Sequence, residues 1–178
     1  MSSSSEDDAA AVSIRPALPA DVRGINALVE PMTHTGILLG KDLVSYYEAV
    51  QEFLVATDGE GAVVGCGALH VMWEDLAEVR TLAVADSARG TGLGHRMLEA
   101  LLERAVQLGL RRVFCLTFEV DFFARHGFEV MAETVDPEIY NQLLRSPDEG
   151  IAEFLDLARV KPNTLGNTRM IRQLGPGA

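Results

Sequence analysis

From Ala77 to Gly109 a strand pattern, a glycine-rich turn and an amphipathic helix follow one another without a gap, and this succession constrains the fold most. Ala77–Val84 is rich in apolar and β-branched residues and reads as a strand. Leu93, Met97, Leu98, Leu101, Leu102, Ala105 and Leu108 recur at three- and four-residue spacing, which makes one apolar helical stripe. Gly109 stops that helix as a C′ glycine does. Between strand and helix lies Arg89-Gly90-Thr91-Gly92-Leu93-Gly94. Glycines there let backbone approach a ligand closely, and free N–H groups at a helix N-terminus attract an anion such as a pyrophosphate. Arg89 adds a positive charge at the lip. No Lys follows the glycines, so the Walker pattern fails. The G-x-G-x-G spacing, with no acidic residue in a βαβ context about twenty residues on, also fails the dinucleotide fingerprint.

Composition narrows the partners. A chain of 178 residues is long enough for one domain with a sizeable core. A net charge of −11 argues against nucleic acid, whose binding needs a basic face. It also means that an anionic cofactor is held by local groups against an unfavourable global field. No apolar run reaches the length needed to span a bilayer, and the N-terminus lacks the pattern of a secretory signal. A cytoplasmic protein with no membrane partner is the expectation. Cys66 and Cys115 lie in apolar runs without metal spacing, which reads as buried reduced thiols and no metal.

Residues 1–11, Ser-rich and then acidic, read as a disordered tail, and residues 12–174 as one domain. Val12–Arg15 is a first strand; Asp21–Val29 is a helix ended by Pro31. After the loop Thr33–Lys41 comes a helix from Asp42 to about Glu52. Phe53–Thr57 and Ala62–Met72 form a hairpin about Asp58-Gly59-Glu60-Gly61. Beyond Gly109, Arg112–Phe118 is a strand, Val120–His126 a short helix and Phe128–Ala132 a strand. Pro137–Arg145 and Asp148–Ala158 read as helices, Pro162–Asn167 as a loop and Thr168–Leu174 as the last strand. The result is an α/β, more narrowly α+β, domain with a mixed sheet.

The loop Arg89-x-x-Gly92-x-Gly94 resembles the acyl-CoA loop of the GCN5-related N-acetyltransferases, and the element order matches that fold. Within the family the chain most resembles the acetyltransferase domain of N-acetylglutamate synthases. The residues that carry this are Ile14-Arg15-Pro16-Ala17, Gly36-Ile37-Leu38, Val64 to Leu69, Glu78, Gln107 to Leu110, Phe114 to Thr117 and Phe123 to Phe128. The resemblance implies acetyl-CoA as co-substrate and transfer to the α-amine of glutamate or glutamine, the first step of arginine biosynthesis. A homodimer follows from family habit alone. The chain departs from the family in having no room for the arginine-binding kinase-like domain that many synthases carry.

Acetyl transfer needs a neutral amine, a polarised thioester carbonyl and a route for the leaving thiolate. Glu78 matches the glutamate base of the histone-acetylating branch, and strand parity puts positions 78, 80, 82 and 84 on one face, so Glu78 sits beside Arg80. The other reading of Glu78 is an ion pair with Arg80. Main chain at Leu82, Ala83 and Val84 is the expected holder of the pantetheine arm and of the oxyanion. Arg89, Gly90, Thr91, Gly92, Leu93 and Gly94 are the expected pyrophosphate loop, with Phe123 packing on the cofactor or in the core. Where many relatives have a tyrosine acid on the short helix, this chain has Phe122 and Phe123. Arg80 and Lys41 are candidate anchors for an acidic acceptor. His70, Asn167 and Thr168 are further acceptor candidates.

Two other readings stay open: an N-acetyltransferase for another small amine or a protein N-terminus, and a non-catalytic acetyl-CoA-binding module.

Overall fold

The computed structural model describes residues 11–38, 40–132, 135–155 and 167–175. Hence residues 1–10 of the expected tail, residues 162–166 of the expected loop and the end of the last expected helix lie outside the described residues. The strands are β1 (Ser13–Pro16), β2 (Phe53–Thr57), β3 (Val63–Trp73), β4 (Leu76–Val84), β5 (Arg112–Thr117), β6 (Glu129–Val130) and β7 (Thr168–Gln173). The helices are α1 (Val22–His34), α2 (Leu43–Glu48), α3 (Leu93–Gln107), α4 (Val120–Ala124), α5 (Pro137–Leu143) and α6 (Glu149–Phe154). The strands form a mixed sheet in the order β1-β2-β3-β4-β5-β7-β6. Among the described strands only β4 and β5 run parallel, with α3 as their crossover.

The expected stripe on α3 packs against one face of the sheet: Leu93, Met97, Leu98, Leu101, Leu102 and Ala105 join Leu69, Ala77, Val79, Val113 and Cys115. Leu108 does not, being the C-cap and mostly exposed. Gly109 takes the positive φ of a C′ residue, and the Leu110 N–H reaches back to the Ala105 carbonyl. The opposite face carries two separate packs. One holds α1 and Tyr46 against Phe53, Val55, Cys66, Ala68 and Ala83. The other holds α5 and α6 against Leu76 and Phe114, with Phe114 and Phe154 rings 4.2 Å apart.

Three expectations are corrected. Pro31 does not end α1, which continues to His34 because Met32 still packs against the core under the helix. The strand expected over Phe128–Ala132 shrinks to the two exposed residues of β6, an edge strand paired only with β7. Strand parity also fails across β4. Cys66 pairs with Ala83 and Ala68 with Arg80, so the single residue Gly67 faces both Thr81 and Leu82. This is a β-bulge, with Thr81 at φ 57°. It reverses the alternation: Leu82 and Val84 pack with Val79 on the α3 side, while Glu78 and Arg80 face the other way. Gly67 lets the strands and α3 approach closely there, since a Cβ would lie 2.8 Å from Leu101 Cδ1 and 3.1 Å from Leu82 Cδ1 and would push those side chains aside.

Candidate active site

β4 and β5 pair only over Leu76–Glu78 and Arg112–Phe114, and then diverge. Past Glu78, the β5-facing main chain of β4 therefore has no strand partner among the described residues. The opening is a cleft of about 240 Å³ that passes between the strands from one face of the sheet to the other. Gly94, Phe122 and Phe123 wall it on the α3 side; Ile37, Leu38, Lys41 and Gly150 wall it on the other. Glu78 to Leu82 and Leu116 to Glu119 form its sides.

The α3 end suits an anionic ligand with a long arm. Gly92 is the N-cap in a left-handed conformation, and no side chain caps the helix. The first backbone bond into Gly92 comes from Arg96, which leaves the N–H groups of the first turn available. Gly90 and Gly92 have φ of 74° and 80°, so the turn itself demands glycine. Gly94 differs. A Cβ there would sit 3.5 Å from the Phe122 ring, an ordinary contact, so the fold tolerates a side chain that the cleft would feel. The remaining loop side chains turn away from the cleft. Leu93 is in the core, Thr91 Oγ1 donates to the Ala88 carbonyl at 2.6 Å, and exposed Arg89 pairs with Asp86 at 2.9 Å. Arg89 is thus not a free charge at the lip. Ala83 is buried and Phe123 is shared between cleft and core, edge-on to Phe122 and Phe128. Main-chain groups of Leu82–Val84 and the first turn of α3 fit a pantetheine arm and a pyrophosphate.

The other end is polar. Glu78 and Arg80, 4% and 9% exposed, form an ion pair in the gap between the α1 and α6 packs. Arg80 Nε donates to Glu78 Oε2 at 2.9 Å, and Nη2 donates to the same oxygen. Its Nη1 donates to Asp148 Oδ2 at 3.0 Å. Burial alone would lower the Arg80 pKa, but the two carboxylates outweigh it and the shift is upward. Burial would raise the Asp148 carboxyl; hydrogen bonding and charge from Arg80 hold it down at about 2. Lys41 is half-buried on the cleft wall and has no hydrogen-bond or ion-pair partner among the described residues. Burial, then the Arg80 charge, pulls its ammonium below the ordinary lysine range, against the carboxylates of Asp148, Glu78 and Glu52.

His70 lies opposite Glu78 on β3, but its Nδ1 pairs with Glu52 Oε1 at 2.8 Å and it is not a wall of the cleft. Asn167 reaches the cleft; Thr168 opens β7 opposite Thr117, which does line it. Sequence reasoning missed Asp148 and Gly150. Their only signal was Ser146-Pro147-Asp148-Glu149, read as a helix opening. His126, expected at the helix end, does follow the C-cap of α4, and its Nε2 lies 2.7 Å from His95 Nδ1 on α3. Burial and then His95 lower the His126 pKa. Among the described residues, no cluster of His, Cys, Asp and Glu could hold a metal ion, and no helix is long and apolar enough to cross a membrane.

The chain is similar in sequence and fold to known proteins. The acetyltransferase (GNAT) family model matches residues 30–128. An amino-acid acetyltransferase of Mycobacterium tuberculosis is 54% identical over 162 residues, covering 89% of this chain and 92% of the relative. A Mycobacterium tuberculosis protein crystallised in complex with CoA superposes with a TM-score of 0.87 at 52% identity, over 92% of this chain and 99% of that one. The N-acetylglutamate synthase from Neisseria gonorrhoeae, complexed with coenzyme A and N-acetyl-glutamate, superposes at 0.74 with 27% identity. That match covers 94% of this chain and 36% of the synthase.

Proposed function

The chain belongs to the acetyltransferase (GNAT) family, and from that membership we propose that it moves the acetyl group of acetyl-CoA to the α-amine of glutamate or glutamine, the entry step of arginine biosynthesis. The observation that carries the acceptor class is Lys41, a half-buried cation on the cleft wall with no carboxylate of its own among the described residues. Such a charge is costly to bury unpaired, and an acceptor carboxylate would offset it. The names of the 54% identical relative and of the Neisseria synthase support the same class.

In this reading Glu78 is the base. Among the described residues its Oε1 accepts no hydrogen bond and is not a buried orphan, so it is open there to an incoming ammonium or a relaying water. Acetyl-CoA supplies the activated thioester. Charge that develops on the carbonyl oxygen is met by a main-chain N–H of Leu82–Val84, on the side of β4 that β5 leaves unpaired. With Phe122 and Phe123 on the short helix, neither of those positions can protonate the thiolate. Asn167 and Thr168 complete the acceptor side.

The reading is tested by initial rates with glutamate, glutamine, lysine and spermidine, following thiol release from acetyl-CoA. Glutamate or glutamine should be the best acceptor. Lysine or spermidine as the best would overturn the acceptor class, and no thiol release with any amine would favour a binding module.

A further inference from the structure

We propose that Asp148 is a positioning residue for acetyl transfer, holding Arg80 in the orientation that leaves one oxygen of Glu78 facing the acceptor. The inference builds on the reading of Glu78 as the base. A guanidinium beside a lone carboxylate favours the two-oxygen fork, each oxygen taking one N–H. That is not the arrangement seen. Both Nε and Nη2 of Arg80 go to Oε2 of Glu78, and Oε1 has no hydrogen-bond partner among the described residues. The remaining donor used, Nη1, is drawn aside by Asp148, 68 residues away in sequence.

Asp148 is itself fixed. Its Oδ1 accepts from the Ile151 N–H at 2.9 Å and its own N–H donates to Ser146 Oγ at 3.2 Å. Ile151, Phe154 and Leu155 anchor α6 in the apolar pack around Phe114. Gly150 brings the α6 backbone flush against the guanidinium: a Cβ there would lie 2.7 Å from Arg80 Nη2 and 2.8 Å from Cζ. A carboxylate on one side and a bare backbone on the other thus confine Arg80. Among the described residues, the other ionisable groups near it are Lys41 and, on the β3 side, the His70–Glu52 pair. Neither bonds the guanidinium.

Asp148→Asn separates the two jobs of this side chain. Its oxygen still caps α6, while the amide cannot accept from Arg80. The variant should fold and bind acetyl-CoA like the parent by calorimetry. Its kcat should drop about tenfold, part of what a positioned base contributes. The acidic limb of its pH–rate profile should move to lower pH, because the Arg80 charge then bears on Glu78 alone. Gly150→Ala should give the same kcat loss with Asp148 intact, by displacing the guanidinium sterically. Parent-like kcat and pH profile in folded Asp148→Asn would overturn the proposal and leave Asp148 as a helix cap. If Asp148→Asn does not fold, Gly150→Ala decides; loss of folding in both would also overturn it, by making the contact structural. All rates use whichever acceptor the parent prefers. A non-amino-acid acceptor therefore sinks the acceptor class without touching Asp148, and a parent-like Asp148→Asn does the reverse.

Discussion

Arg80 and Lys41 looked equivalent as acceptor anchors, and their surroundings separate them. Arg80 spends three donors on Glu78 and Asp148, whereas Lys41 spends none among the described residues. Lys41→Met should therefore raise the KM for the acceptor about tenfold, or about 1.4 kcal/mol, and leave the KM for acetyl-CoA alone. Steady-state kinetics with each substrate varied would check this; an unchanged acceptor KM would remove Lys41 as the anchor. The sign of its pH dependence follows from burial. A lysine whose pKa is lowered loses its charge earlier as pH rises. Acceptor KM should then climb on the alkaline side, below the ordinary lysine range, and that climb should be absent in Lys41→Met. Glu78→Gln should cut turnover by about 10²-fold or more at neutral pH, less where free amine is abundant. The Glu78–Arg80 contact was legible because it is local, two positions apart on one strand. Asp148 was not, because its partner lies across the chain and only the docked α6 brings them together.

The strand–turn–helix was readable because each part repeats with its own period, and the turn because glycine marks positive φ. What periodicity hides is a local change of count. The bulge at Thr81 inserts one residue and reverses every side chain after it, which no alternation rule can register. The two loop glycines then predict different failures. Gly92→Ala places a side chain at φ 80° and should lower stability by about 1–2 kcal/mol. Gly94→Val sits on a helical backbone with room beside Phe122, and should keep most of the stability while weakening acetyl-CoA binding tenfold or more. Thermal unfolding and calorimetry on both variants would test the contrast. Unchanged CoA binding in folded Gly94→Val would remove the first turn of α3 from the cofactor site.

At the scale of the molecule, the sheet carries one continuous pack on its α3 face and two on the other, and the cleft opens where those two part. The division puts open N–H groups and a helix N-terminus at one mouth, and the Glu78–Arg80–Asp148 network at the other. Neither mouth carries a free arginine on the loop, since Arg89 is exposed and paired with Asp86. A polyanionic cofactor must therefore approach a chain of net charge −11 against an unfavourable global field, drawn in by the short-range dipoles at the turn. Helix-end attraction fades within a turn, whereas net charge acts out to the screening length, about 30 Å at 0.01 M salt and about 8 Å at 0.15 M. Long-range repulsion should hence dominate the encounter at low salt, and screening should relieve it. The association rate constant for CoA, measured by stopped flow, should rise as salt is raised from about 0.01 to 0.15 M. The dissociation rate should change less, because the bound contacts are short and partly enclosed. An association rate that falls across that range would mean that the field at the glycine turn outweighs the net charge. The pyrophosphate would then be steered by local cations rather than admitted against the charge of the molecule.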